Sequence, residues 1–127
     1  TAEAVLSEFL ELLNAGDFEN AVKRYGGSYE RLAHWNPNDD PTDLAQLLEF
    51  GCTRNGLQCL ELGRVIERAK SGGDRFIFKV ELVNDDGTPY ERPPCCGESG
   101  PPTKFFELEV RKIAGQYFVH SLPPYQA

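Results

Sequence analysis

The chain has no methionine, one tryptophan and only two histidines, His34 and His120, so any chemistry that needs an imidazole must use one of those two. No apolar run approaches the roughly 18 residues a membrane-spanning helix requires, and no membrane span is expected. Basic residues are outnumbered, 13 Lys and Arg against 20 Asp and Glu, and they are scattered along the chain. Phosphate-backbone binding works through clustered Lys and Arg, so nucleic acid is excluded as a partner. The net charge of -7 instead favours solubility. Paired carboxylates, a metal-ligand cluster and a glycine-rich phosphate loop are also missing, so no catalytic residue, cofactor or metal is assigned.

What is present is a globular composition on a chain of 127 residues, the length of one domain with a single core. The stretch that organises it is Asp74 to Val83. There Phe76, Phe78, Val80 and Leu82 alternate with Ile77, Lys79, Glu81 and Val83, the period-2 pattern of a strand that lays one face on a core. Upstream, Leu57 to Glu67 also alternates, with Leu60, Leu62, Arg64 and Ile66 on one face, and Ser71-Gly72-Gly73-Asp74 supplies a turn, so residues 57–83 are expected to form a hairpin. Downstream, Phe106, Leu108 and Val110 line one face of a third strand. Ala114-Gly115-Gln116 turns it into a fourth, Tyr117 to Leu122, which Pro123-Pro124 stops before a short tail.

The N-terminal third reads as helical. Val5, Leu6, Phe9, Leu10, Leu12 and Leu13 share one stripe of a helix over residues 2–13. Gly16 closes it and Asp17 caps a second helix carrying Phe18, Ala21, Val22 and Tyr25, ended by Gly26-Gly27. Ser28 to Trp35 is expected as an edge strand. Asp40-Pro41 has the form of an N-cap with proline at the first helical position, opening a third helix that turns Leu44, Leu47, Leu48 and Cys52 inward. The expected fold is α+β, three N-terminal helices packed on a curved antiparallel sheet of four to five strands, with residues 1–127 as one domain.

Cys52, Cys59, Cys95 and Cys96 are an even set in the middle of the chain. Zinc knuckles prefer ligands two to four residues apart, whereas 52 to 59 is wider and 95 to 96 tighter. A nucleophilic cysteine would need His34 or His120 beside it. Structural disulfides are the expected outcome, and they fit an oxidising compartment. A start at Thr1 with no methionine likewise fits a mature chain whose export segment was removed, giving an extracytoplasmic expectation. A Cys52–Cys59 bond would leave adjacent Cys95 and Cys96 to bond each other or stay free. The expected pairing therefore ties Cys52 and Cys59 each to one of Cys95 and Cys96, with the choice open, and braces the proline-rich loop between Asn84 and Thr103.

Two stretches, Phe9-Leu10-Glu11-Leu12-Leu13-Asn14-Ala15-Gly16-Asp17-Phe18 and Gly115-Gln116-Tyr117-Phe118-Val119-His120-Ser121-Leu122, together with the order of helices and strands, resemble the opening and closing of small bacterial members of the nuclear transport factor two-like superfamily. That resemblance implies a cystatin-like cone whose sheet wraps the helices and leaves a pocket at its open end. In some members the pocket is an active site and in others a partner site, so the fold does not fix the function. The chain is expected to be an exported binding or interaction module for an unknown small molecule or protein. The alternative is a small pocket enzyme of the isomerase or hydratase type. Tyr29, His34, Trp35 and His120 are the candidate pocket-lining residues, since aromatics with a titratable group make an ordinary small-molecule lining. Against that stands the plainer outcome that Trp35 seals the core, His34 meets water and His120 is structural. Sheets of this superfamily commonly pair face to face, and Ile77 and Val83 lie behind the core face, so a homodimer is also an expectation.

Overall fold

A computed structural model describes residues 1–127. Helix α1 (Ala2–Ala15) starts where the Thr1 hydroxyl accepts a hydrogen bond from Ala4 N and ends at Gly16, whose φ of +79° is the left-handed conformation that closes helices. Asp17 caps α2 (Phe18–Val22), as the local sequence requires. α3 (Glu30–Trp35) and α4 (Leu44–Thr53) follow, and the chain then runs into β1 (Glu61–Ser71), β2 (Arg75–Val83), β3 (Phe106–Ile113) and β4 (Gln116–Val119). The four strands form one antiparallel sheet in chain order, not closed on itself. α1 lies against β1, β3 and β4. Between helix and sheet is the core: Leu6, Phe9, Leu10 and Leu13 from α1 meet Phe78, Val80, Leu82, Leu108, Val110 and Val119. The face read from the organising strand is thus the core face, with Val80 and Leu82 wholly buried and Phe76 half-buried at its open end.

Ser28 to Trp35 is not an edge strand. The Ser28 hydroxyl accepts from Glu30 N, and the helix it opens buries Leu32 completely against α4. Gly51 permits that contact, because a Cβ there would meet Leu32 and Leu57 methyl carbons at 2.7 and 2.8 Å. The helix ends at Asn36, a buried polar side chain whose amide donates to Leu32 O and Asn55 Oδ1. Four helices therefore stand where three were expected. The strand-like pairing comes a few residues earlier: Val119 N donates to Arg24 O and Gly26 N donates to Val119 O, at 2.8 and 2.9 Å, which covers the free edge of β4.

The helix expected from Asp40-Pro41 begins at Leu44 instead. Asp40 spends its carboxylate on Thr42, accepting from both its backbone N and its hydroxyl, and Asp43 caps the helix through Gln46 N. In β1 the simple alternation also fails. Register breaks between Leu62 and Arg64 and between Val65 and Glu67 put Leu62 and Val65 on the core side, while Arg64 faces out and pairs with Glu81. Two bulges bend a strand and change which side chains face inward. At Gly63, a Cβ would come within 2.9 Å of Val83 and 3.0 Å of Glu81 O.

The cysteine pairing differs from the one expected. Cys52 bonds Cys59, with Cα atoms 5.6 Å apart, and Cys95 bonds its neighbour Cys96. After α4 the chain reverses through Arg54 to Gly56, whose φ is +94°, and returns Cys59 beside the end of its own helix. The long loop is braced without a cross-link to that region. Tyr90 is buried, stacks on Phe106 and donates to Gln126 Oε1, while Arg92 and Thr103 exchange both backbone hydrogen bonds at 2.8 and 2.9 Å. β4 ends at Val119, short of the Leu122 expected, and Pro123 and Pro124 beyond it are buried. Pro124 O accepts from Gln58 N and Gln126 N donates to Gly56 O, so the tail is stitched to the segment before β1.

The outer face of the sheet, where a homodimer was expected, alternates Ile77 with charge. Arg64 pairs with Glu81, and Arg75 and Arg111 both pair with Glu109. Val83 is half-buried and bridged to Pro89. No helix is long and apolar enough to cross a membrane.

Candidate functional site

A broad groove of about 720 Å³ opens between α3 and the end of the sheet. Tyr25 and Ser28 form its floor before α3, the helix presents Glu30, Arg31 and His34, β3 contributes Glu107, and His120 to Leu122 close it beyond β4. The segment after β4 is placed by continued pairing with β3: His120 N donates to Glu109 O at 2.8 Å and the Ser121 hydroxyl accepts from Glu109 N at 2.9 Å. Outward alternation along β3, between buried Phe106 and Leu108, brings Glu107 to the rim.

Gly26 and Gly27 bring the two walls together. A Cβ on Gly26 would sit 2.9 Å from both His120 Nε2 and Phe118 Cβ, and one on Gly27 would sit 2.6 Å from the Tyr25 hydroxyl and 2.9 Å from His120 O. α2 ends at Val22, capped at Lys23, so the pair does not end that helix as expected; instead, only residues without side chains let the 24–27 segment lie this close to 118–120. His120 Nε2 is thereby shut from solvent with no hydrogen-bond partner. Protonating that ring would add an uncompensated charge to a desolvated site. Burial lowers the His120 pKa from its ordinary value, the nearby Arg111 guanidinium lowers it further, and Glu109 opposes them, so the ring is neutral at neutral pH.

The two tyrosines beneath are kept protonated by burial. Tyr25 stacks on Phe9, and its hydroxyl donates to Ser28 O at 2.8 Å. Burial, with Tyr29 adding to it, raises its phenol well above the usual value. Tyr29 is pushed up to about 12 by burial and meets Tyr25 edge-on, its own hydroxyl buried without a partner. Glu109, behind the groove, is raised by desolvation but more strongly lowered by hydrogen bonds from Arg75 and Arg111, and stays ionised.

Of the four residues singled out from sequence, His34 and His120 meet in this groove. Tyr29 lies behind Tyr25. Trp35 does not line the groove; it lies edge-on to Tyr125 at 5.3 Å, with the Arg31 guanidinium over its ring at 5.8 Å. Arg31, Glu30 and Glu107 went unnoticed because each looks like an ordinary solvated charge. The signal that could have found them was Gly26-Gly27, a close-approach pair just before a polar helix face. No cluster of three or more His, Cys, Asp or Glu side chains could hold a metal ion. Chemically the groove offers donors from Arg31 and His34 and carboxylate acceptors from Glu30 and Glu107, in an opening too wide to exclude water. Compared with known proteins, the chain matches no family model, no curated protein and no solved structure.

Proposed function

We propose that the protein is a binding module of the nuclear transport factor two-like kind, working outside the cytoplasm as a secreted, periplasmic or lipid-anchored protein, and that its groove takes a small polar molecule bearing both an anionic and a donor group. The carrying observation is the gathering of Arg31 and His34 with Glu30 and Glu107 around one opening of about 720 Å³. Helices packed on one face of an open antiparallel sheet support the fold part of this reading. Two disulfides with no free cysteine support the compartment, since such bonds persist where the surroundings are oxidising. The pocket-enzyme alternative draws on the neutral His120 ring, a candidate general base. Its Nε2 is packed against Gly26 and unavailable to a substrate, which favours binding over catalysis.

The test is backbone amide NMR against a panel of small carboxylates, amino acids and amines. Amides of residues 28–34 and 107–122 are expected to shift on binding. Arg31→Ala should weaken any anionic hit roughly 10- to 100-fold, the worth of a charge-assisted hydrogen bond. Hits that shift only residues outside this groove, or affinity unchanged in Arg31→Ala, would overturn the assignment.

A further inference from the structure

The two disulfides of this chain do different work. Cys52–Cys59 is half-buried and packs against the core, where it fastens the end of α4 to the approach to β1. Cys95–Cys96 is exposed at the tip of the 84–105 excursion. A disulfide stabilises a fold chiefly through the loop it closes, and a bond between adjacent residues closes almost none. Nor is it needed to hold its own excursion, whose neck is already fastened by the Arg92 and Thr103 backbone pair and by buried Tyr90. What it does fix is the tip itself. Cys95 O accepts from Glu98 N at 3.0 Å, with Cys96 at φ +64° and Gly97 at φ +82°. A left-handed conformation is unfavourable for cysteine and would relax once the side chain is released.

The tip also stands over a cleft of about 660 Å³, walled by Arg92, Pro94, Thr103 and the tail residues Tyr125 and Gln126. Arg92 is anchored there by donating to Tyr125 O at 3.2 Å. Access governs the rate of exchange at an exposed disulfide.

We infer that Cys95–Cys96 is a thiol–disulfide exchange site whose reaction partner is an external dithiol, distinct from the polar groove and independent of it. One partner thiolate attacks a sulfur of the pair, forming a mixed disulfide and expelling the other cysteine as a thiolate. The partner's second thiol then attacks the mixed bond. The partner leaves as a disulfide, and Cys95 and Cys96 carry off two electrons and two protons as a vicinal dithiol.

The experiment titrates the intact oxidised chain with dithiothreitol under native conditions, traps thiols with iodoacetamide and locates them by peptide mass spectrometry. Cys95 and Cys96 should be alkylated together at a dithiothreitol concentration at least roughly tenfold below that which opens Cys52–Cys59. The circular dichroism spectrum and cooperative melt should stay those of the oxidised protein. Both bonds opening together, Cys52–Cys59 opening first, or loss of the melt when Cys95–Cys96 opens would overturn the inference. A variant carrying Cys95→Ser and Cys96→Ser gives the second readout. An unchanged melting temperature is expected, and a fall of several degrees would show the bond to be a structural staple.

Discussion

Truncating Phe78 to alanine tests the central premise of the fold, that the face bearing Phe76, Phe78, Val80 and Leu82 is the core face. Phe78 is 5% exposed and sits on the middle of β2, opposite Leu108 on β3 and Arg68 on β1. Hydrogen-bonded strands on both sides, and α1 above, hold the surroundings in place, so the space vacated by the ring cannot collapse. Buried Phe→Ala substitutions under such conditions cost about 3 to 5 kcal/mol, the transfer free energy of the ring plus the cavity left behind. With an unfolding entropy of about 2.1 cal/mol/K per residue, 127 residues amount to about 0.27 kcal/mol/K, and a 4 kcal/mol loss lowers the melting temperature by about 15 °C. The paired control is the next residue. Lys79 points to the outer face, where its ammonium lies 5.8 Å from the Phe105 ring, and Lys79→Ala should cost under about 1 kcal/mol. Thermal denaturation followed by circular dichroism reads both variants. Equal melting temperatures, or a larger loss for Lys79→Ala, would refute the assignment of faces.

Removing the Cys52–Cys59 bond, by Cys52→Ser with Cys59→Ser, should cost roughly 2 to 3 kcal/mol on the loop-entropy relation, since it closes only a short loop. Urea denaturation compared with the Cys95→Ser, Cys96→Ser protein checks this, and equal stability of the two double variants would contradict the division of labour between the bonds. His120 makes stability depend on pH. Because burial lowers its folded pKa, the unfolded chain binds more protons below about 6.5, so the stabilisation is full above that value and is lost as pH falls towards the folded pKa. The groups around the ring are Arg111, Glu109, Glu107, Arg31, His34, Glu30 and Tyr25. Melting temperatures at pH 7 and pH 5.5 should differ less in His120→Gln than in the parent, and identical pH dependence would remove His120 from the account. Glu109 acts in a lower window, its lowered pKa giving stability that is present above the ordinary carboxylate value and lost in acid.

The sequence by itself determined what is local or periodic. Gly16 and Asp17 mark where α1 ends and α2 begins because caps and left-handed glycines act within a few residues. Alternation in 74–83 and 106–110 determined which face is buried, since a strand's side chains can only alternate. What tertiary structure decided is whatever depends on contacts distant in sequence. Alternation in β1 predicted Arg64 on the same face as Leu62, and pairing with β2 overrode it with two bulges. The cysteine pairing followed from where α4 and the proline-rich hairpin come to rest, which no spacing rule contains. Residues 30–35 are helical because Leu32 has Gly51 and Leu57 to pack on. The groove is the extreme case: its walls are Arg31 and Glu107, which are unremarkable charges in the sequence. They share a site only because two glycines let the chain at 24–27 close on the strand at 118–120.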